Sequence, residues 1–499
     1  MQSRPRIAAL GSLLLAVACS SSSAGDGRST HPSDGKKSGA LDSGVTPPVA
    51  PAKQPDGGAV PVRDGGSPTT SPDGGTVVSA ESTLTRDPAA SIPATSLAGA
   101  VTANNAFAVD LFAQVRKTAP PGNLLTSPIS ASLALTMTYA GAAGETATQM
   151  ATALHYGSAA SSIFDGQNAL SAALASRAAS ALAADQDIAT RGGAAAPSPS
   201  DYQLQVVNSV WGEKTYPWAK PYLDVLAKSY GTGVFLEDFE HQWEPARLAI
   251  NAWVSDETAD KIQDLLPPMS LDDTTRLVLV NAIHLKLPWA NAFSPLQTAP
   301  ATFTTTAGTT VSPDFMHLQS TFAYVDDGQA QIVALPLAGG ALTVLVALPH
   351  GDLATYEAAL AAGSGALTVP AKSSQVALSL PKFNFTSPSF SLSDALKAMN
   401  MTDAFDKSLA DFTPMCPNPP DRARLYVSDV LQKAMLAVQE TGVEAAAATA
   451  VIIAGTDFVE APPIPMVVNR PFVVSIVDAP TGALLFLGHI EDPSVAGSP

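Results

Sequence analysis

The sequence predicts a mixed α/β (α+β) domain over residues 96–495, carried behind an exported, unstructured leader. Three observations predict it. Segments with helical spacing of apolar residues and segments with strand character follow one another without the regular alternation of βαβ units. No proline-rich linker divides residues 97–495, so they read as one domain. Before them, Ser20 to about Thr95 is Ser, Gly, Pro, Asp and Thr with almost no large apolar side chain. Such a stretch cannot bury enough surface to offset the entropy of ordering it.

The bulk composition agrees. Of 499 residues, 46% are hydrophobic and 14% charged, ample for a large core. The formal net charge is −17 and no basic run exceeds two residues, which excludes an electrostatic footprint for nucleic acid. Two cysteines, Cys19 and Cys416, cannot support a disulfide framework.

Residues 1–18 read as a signal peptide. Arg4 and Arg6 precede an apolar run from Ile7 to Ala18, too short to span a bilayer. Ala16-Val17-Ala18 forms a cleavage site directly before Cys19. The junction resembles a bacterial lipobox, with Ala16 where leucine is usual, and this implies a lipid on Cys19. Ser20 resembles the outer-membrane sorting choice. Plain secretion after cleavage at the same bond is the other reading. The chain is thus expected at the outer membrane or cell surface through a lipid anchor, or outside the cell. Residues 19–95 are expected to be a disordered tether with a typical reach of about 50 Å. Its Asp-Gly-Gly repeats, near Pro55, Arg63 and Pro72, lack the further carboxylates that calcium needs. No metal or cofactor is expected.

Order is expected from Leu97. "NNAFAVDLFAQVRKT" has helical spacing at Phe107, Leu111, Phe112 and Val115. "SPISASLALTMTYAGAAGETATQMATAL" opens with the helix start Ser127-Pro128 and reads as one buried helix. Residues 157–200 read as Ala/Ser-rich helix and then loop. "YQLQVVNSVWG" alternates as a strand, and "WEPARLAINAWVSDETADKIQDLL" reads as a long amphipathic helix. "RLVLVNAIHLKLPW" and "ALTVLVALP" are buried strands, "QVALSLPKFNFTS" another, and "LSDALKAMNMTDAF" a helix. "PFVVSIVDAPTGALLFLGHI" reads as a hairpin turning at Pro480–Gly482.

These segments, in this order, resemble the serpin family over essentially all of residues 97–495. "SPISASLAL", "YAGAAGETATQM", "NSVWGEK", "INAWVSDETADKIQDLL", "LVNAIHLKLPW", "LPKF", "ETGVEAAAATA" and "NRPFVVSIVDAPTGALLFLGHIEDP" carry the resemblance. It implies three β-sheets, eight or nine helices, a metastable fold and an exposed reactive-centre loop near the C-terminus. It also implies a suicide substrate. A protease cleaves the loop, is held as an acyl-enzyme, and is dragged across the molecule as the cut loop enters the main sheet.

That mechanism constrains "ETGVEAAAATAVIIAGT" physically. The segment must be mobile first and pleated second. Glu440 leads the hinge and Gly442 supplies its freedom. Val443 stands where the family usually has threonine, followed by Glu444. Ala445, Ala446, Ala447 and Ala448 are small enough to slip between strands. Thr449 and Val451–Ile453 favour a strand. With the loop free, Val443 is expected to be exposed until insertion begins. Composition alone equally suits an alanine-rich surface helix. About 15 residues at roughly 3.3 Å make about 50 Å of strand, close to the diameter of such a domain.

The resemblance further assigns Ser127, Ser130 and Asn281 to the shutter beneath the sheet and Trp289 to the breach at its top. The family's usual shutter histidine is Gln432 here, and its usual Lys-Gly before the tryptophan is Lys286-Leu287. Counting forward from Gly442 puts the reactive bond at Thr456–Asp457, with Phe458 as an alternative anchor. Counting back from Asn469 puts it near Glu460–Ala461, a difference of four residues. The forward count is preferred because the sheet limits the inserting side. These residues suit a target serine protease with a small apolar or aromatic pocket, elastase-, subtilisin- or chymotrypsin-like, or a cysteine protease. No Arg or Lys lies between Lys433 and Arg470, which disfavours a trypsin-like target. No G-x-S-x-G, H-E-x-x-H or Walker A motif points to an enzyme, and His284 and His317 read as structural. The chain is expected to act as a monomer. The other reading is a non-inhibitory family member serving as a binding or structural surface module.

Overall fold

The computed structural model describes residues 78–495 except 158–159, 364, 366, 421–423 and 445–461. The signal peptide, Cys19, most of the tether, Ala445–Ala448, Thr449, Thr456, Asp457 and Phe458 therefore lie outside the described residues. Among those described there are three sheets and nine α-helical segments.

The main sheet has eight strands. In spatial order these are Val78–Ala80, Val234–Glu237, Gln203–Glu213, Leu277–Pro288, Gly442–Val443, Asp429–Gln439 and Phe383–Thr386, with Phe390–Ser391 also pairing with Asp429–Gln439. A nine-stranded sheet carries the C-terminal hairpin Phe472–Asp478 and Ala483–Ile490, whose turn is closed by Gly482 at φ +80°. The third sheet is a ribbon of Phe303–Thr304 with Thr310–Val311.

The Leu277–Pro288 strand is mostly apolar because both of its faces are covered, with Asn281, His284 and Lys286 as its polar exceptions. Leu277, Leu279, Ile283, Leu285 and Leu287 join the large core, while Val278, Val280 and Ala282 join a second core. That second core lies under the helix Phe239–Glu257, through Ile250, Trp253 and Val254. Trp211 stacks on Phe235 at 4.8 Å and meets Trp253 edge-on at 5.7 Å. On the first face lies the helix Pro128–Tyr139, buried almost all round, as its apolar sequence requires.

Four expectations change. The tether does not extend to residue 95. Val78–Ala80 pairs with Val234–Leu236 as an edge strand, Asp87 N donates to Lys228 O (2.9 Å), and the first helix begins at Ala94. Backbone pairing and polar contacts such as Arg86 Nε to Asn168 (2.8 Å) fix this stretch, and apolar composition does not register them. The helix expected through Leu154 divides into Pro128–Tyr139 and Gly144–Ala153. Gly144 has φ +54°, and a Cβ on Gly141 would lie 2.7 Å from Met415 Cε. The stretch Phe239–Glu257 is broken at Gln242, whose φ of −137° is non-helical, so the long amphipathic helix runs from Trp243 as expected but stops at Glu257, because Ala259 and Asp260 turn left-handed at φ +50° and +62°. Residues 258–266 then run as a non-helical crossing segment, tied back by two hydrogen bonds between Asn251 and Leu266. Finally, "QVALSLPKFNFTS" is two strands, Ser373–Pro381 and Phe383–Thr386, in different sheets, so the chain changes sheet at Lys382.

Candidate functional site

The site is the seam between Leu277–Pro288 and Asp429–Gln439, which run parallel in the middle of the main sheet. Direct pairing runs from Asp429–Val278 up to Ala434–Ile283. Above that the two strands part, and Gly442–Val443 fills the fork. Val443 pairs with Leu287 on one side and Val438 on the other, antiparallel to both.

Halfway along the seam is a buried polar cluster that contains the expected shutter residues. Gln432 Nε2 donates to Asn281 Oδ1 (2.9 Å) and to the Ser127 carbonyl (2.8 Å), and Ser127 N donates to Gln432 Oε1 (3.0 Å). Asn281 Nδ2 donates to the Leu431 carbonyl (2.8 Å), and Ser127 Oγ to the Leu485 carbonyl (3.0 Å). Ser130 is joined to the cluster's edge by Asn208, whose amide nitrogen donates to Ser130 Oγ (3.0 Å) and to its carbonyl (2.9 Å). The glutamine thus does with one amide what a histidine ring would share between two nitrogens.

At the top of the fork stands Trp289, the residue the resemblance assigns to the breach. Trp289 Nε1 donates to the Gln439 carbonyl (2.7 Å), and its backbone N–H donates to the Thr441 carbonyl (3.0 Å). Its ring meets Phe293 edge-on at 6.0 Å. Leu287, in place of glycine, is buried opposite Val443, so the two apolar departures from the family pattern pack against each other. Glu440 sits between Lys382 Nζ (3.0 Å) and Thr298 Oγ1 (2.9 Å). Burial pushes its carboxyl up, but its backbone, Lys382 and Thr298 hydrogen bonds more than offset this and hold it below the usual carboxylate range.

The hinge itself differs from expectation. Gly442 is nearly extended at φ +158° and already lies in the sheet, and Val443 is fully buried rather than exposed. The left-handed bend falls on Glu444, at φ +50°, whose N–H donates to the Ala437 carbonyl (2.9 Å). Its carboxylate meets His284 Nε2 (2.7 Å) and Lys261 Nζ. Burial again raises this carboxyl, and the His284 and Lys261 hydrogen bonds outweigh it, leaving the group below its ordinary value. His284, read from sequence as a plain strand residue, is therefore part of the site. Lys261, Lys382, Thr298 and Asn208 were also not singled out. Lys261 and Lys382 lie inside two of the quoted segments, "INAWVSDETADKIQDLL" and "LPKF", but nothing local marks either as a hinge partner, and the fold brings them to the hinge. Lys433, on the seam strand, is buried and donates to the Gln263 carbonyl (2.8 Å), which ties the crossing segment 258–266 over the fork.

Comparison with known proteins fits this geometry. The model of the family described as "Serpin (serine protease inhibitor)" matches residues 102–493. This chain belongs to the serpin family. Leukocyte elastase inhibitor of Homo sapiens is 31% identical over 406 residues, covering 78% of this chain and 98% of that protein. An uncharacterized serpin-like protein of Methanosarcina acetivorans is 31% identical over 405 residues, 80% of this chain and 89% of its own length. Among solved structures, the thermophilic serpin tengpin in its native state superposes with a TM-score of 0.66 at 24% identity, covering 83% of this chain and 97% of its own. Native protease nexin-1 with heparin gives 0.65 at 27% identity, covering 80% of this chain and all of the other.

Proposed function

We propose that this chain inhibits a serine-type endopeptidase as a suicide substrate and works outside the cytoplasm, held at a bacterial surface by a lipid on Cys19. The observation that carries the inhibitory reading is the docked hinge. Gly442–Val443 occupies the fork in the register a fully inserted loop needs. Ten more steps down that register would bring Ile453 opposite Leu277, at the foot of the strand. The chain would then leave the sheet as Ala454, Gly455 and Thr456. This supports Thr456–Asp457 as the reactive bond, and the further residues up to Pro463 as slack on the far side. Relatives named leukocyte elastase inhibitors support a protease as partner.

In this reading the serine Oγ of the protease attacks the Thr456 carbonyl carbon. The bond to Asp457 N breaks, the amine leaves with a proton, and an ester joins Thr456 to the protease. Deacylation by water then competes with insertion. Insertion joins the seam strands to a new central strand and carries the ester about 43 Å below Val443, given thirteen residues to Thr456 at roughly 3.3 Å each. A distorted catalytic site cannot complete hydrolysis.

The test is incubation with elastase-, subtilisin- and chymotrypsin-like enzymes and a cysteine protease, read by denaturing gels and mass spectrometry. A covalent complex with a released peptide beginning at Asp457 is expected. Clean cleavage with no complex, and no rise in the unfolding temperature afterwards, would instead make the chain a non-inhibitory surface module. Thr456→Arg should add inhibition of trypsin-like enzymes. If trypsin cuts that variant without being trapped, the assigned bond is wrong or the loop does not inhibit.

A further inference from the structure

The docked hinge raises a question of its own. An uncut loop has already given two residues to the main sheet, and Val443 is paired on both sides. The next place in the register, opposite Lys286 and Ala437, falls to Glu444. Something halts the chain after Val443, and it is found at the next residue.

Glu444 leaves the sheet direction by its left-handed φ of +50°. Its carboxylate is then held on the outer face of the sheet. His284 Nε2 lies 2.7 Å from one oxygen, and Lys261 Nζ pairs with the other. Lys261 belongs to the 258–266 segment that crosses the fork, and Lys433 fastens that segment to the other seam strand through Gln263 O. The remaining nearby cation on this face of the strand, Lys286, is occupied by Asp201 at 2.8 Å. To continue the strand, Glu444 must swing to an extended backbone. Its side chain would then stand across from Lys286, in the cross-strand position, and Lys261 would be left behind. One further step therefore breaks two charge-assisted bonds at a site where Glu444 and His284 are shielded from water, and relieves one unfavourable backbone angle. The bonds outweigh the angle, since each is worth more than an ordinary hydrogen bond in such surroundings.

We propose that Glu444, His284 and Lys261 form a brake that arrests the uncut loop after Val443 and so sets how long the protein stays ready to trap a protease. The proposal rests on the inserting-loop reading above. The brake acts on the intact loop. After cleavage the whole remaining strand is available, and its pairing overrides the brake.

The full-length protein provides the test. Parent, Glu444→Ala, Lys261→Ala and the double variant are incubated uncut at 37 °C. Conversion to a form resistant to urea is followed with time, together with the loss of inhibitory capacity. Glu444→Ala should convert about tenfold faster than the parent, the change expected for losing a charge-assisted bond. Lys261→Ala should also be faster, and the double variant no faster than Glu444→Ala alone, because both substitutions remove one interaction. His284→Gln, which keeps a donor, should stay close to the parent. An unchanged or slower conversion in Glu444→Ala overturns the brake, as do strictly multiplying effects in the double variant. Parent protein cut in the loop by a non-target protease separates the two ideas. If cutting fails to raise its unfolding temperature, the insertion reading falls, and the brake with it. If cutting raises it while Glu444→Ala still converts at the parent rate, only the brake falls.

Discussion

Gln432 and Asn281 are joined by a 2.9 Å hydrogen bond across the seam of the main sheet, with Ser127 beneath both. The two strands that must part for a loop to enter are thus fastened by side chains as well as by their ladder.

Gln432→Ala should loosen that fastening. It leaves the Ser127 N–H and Asn281 Oδ1 buried without those partners, at a cost of about 2–4 kcal/mol. The urea midpoint of the native form should fall, while the loop-cleaved form, whose seam is already filled, should lose less. Glutamine does not titrate, so the Gln432 cluster should add no pH dependence to seam opening between pH 5 and 8. Gln432→His should introduce a dependence in that range. A parent opening rate that varies there would place the controlling group elsewhere.

Glu440 and Glu444 give a second pH test, with a definite sign. Both carboxyls are held below their ordinary values, burial being outweighed by hydrogen bonds from Lys382 and Thr298 in one case and from His284 and Lys261 in the other. A group with a depressed folded pKa contributes stability that is fully present above its unfolded pKa and is lost as pH falls through the folded one. The unfolding temperature of the native form should therefore hold from neutrality down to the carboxylate range and drop below it. Glu440→Gln should cost on the order of 1 kcal/mol at pH 7, since Lys382 is partly solvated, and should shrink the acid drop. Equal acid slopes in the parent and a Glu440→Gln, Glu444→Gln double variant would show that these carboxylates are not the linked groups.

Much of this site was legible in the chain, and what was not has a physical cause. The seam strands announce themselves because burial on both faces forces a mostly apolar run, as in Leu277–Leu287, where only Asn281, His284 and Lys286 are polar. Ser127 and Asn281 meet around Gln432 beneath the seam, and Trp289 stands at the top of the fork. The docked state of Val443 did not show, because an apolar β-branched residue suits both a waiting and an inserted hinge. His284 was passed over because one histidine in a buried strand looks structural until its partner, 160 residues away in sequence, is known. The Val78–Ala80 strand was missed because its place rests on backbone pairing at an edge, which composition does not encode.

Cys19→Ala addresses the address. If the cysteine after Ala16-Val17-Ala18 carries a lipid, the variant should move from the membrane fraction to the soluble exported fraction. Its inhibitory capacity per molecule should be unchanged. Membrane association that persists in the variant would remove lipidation of Cys19 from the account.

Val443→Arg tests the inserted hinge most directly. Val443 is fully buried between Leu287 and Val438. An arginine confined there would lose water with no partner on the apolar side, at several kcal/mol. The chain has a cheaper response, which is to withdraw Gly442–Arg from the fork and forfeit only that short pairing and the Glu444 contacts. The variant should therefore express and fold, with a modestly lower urea midpoint and faster amide exchange at residues 442–444. Its loop should be cut at the parent bond. Insertion must begin with the same residue, however, and there the penalty cannot be avoided. Deacylation should win, and the number of inhibitor molecules consumed per protease inactivated should rise at least about tenfold, since 1.4 kcal/mol in the competing step suffices for that. Titration against an enzyme that the parent traps measures it. An unchanged ratio would mean that Val443 is not the first residue to enter, and that the strand pairing seen at the fork is not the start of insertion.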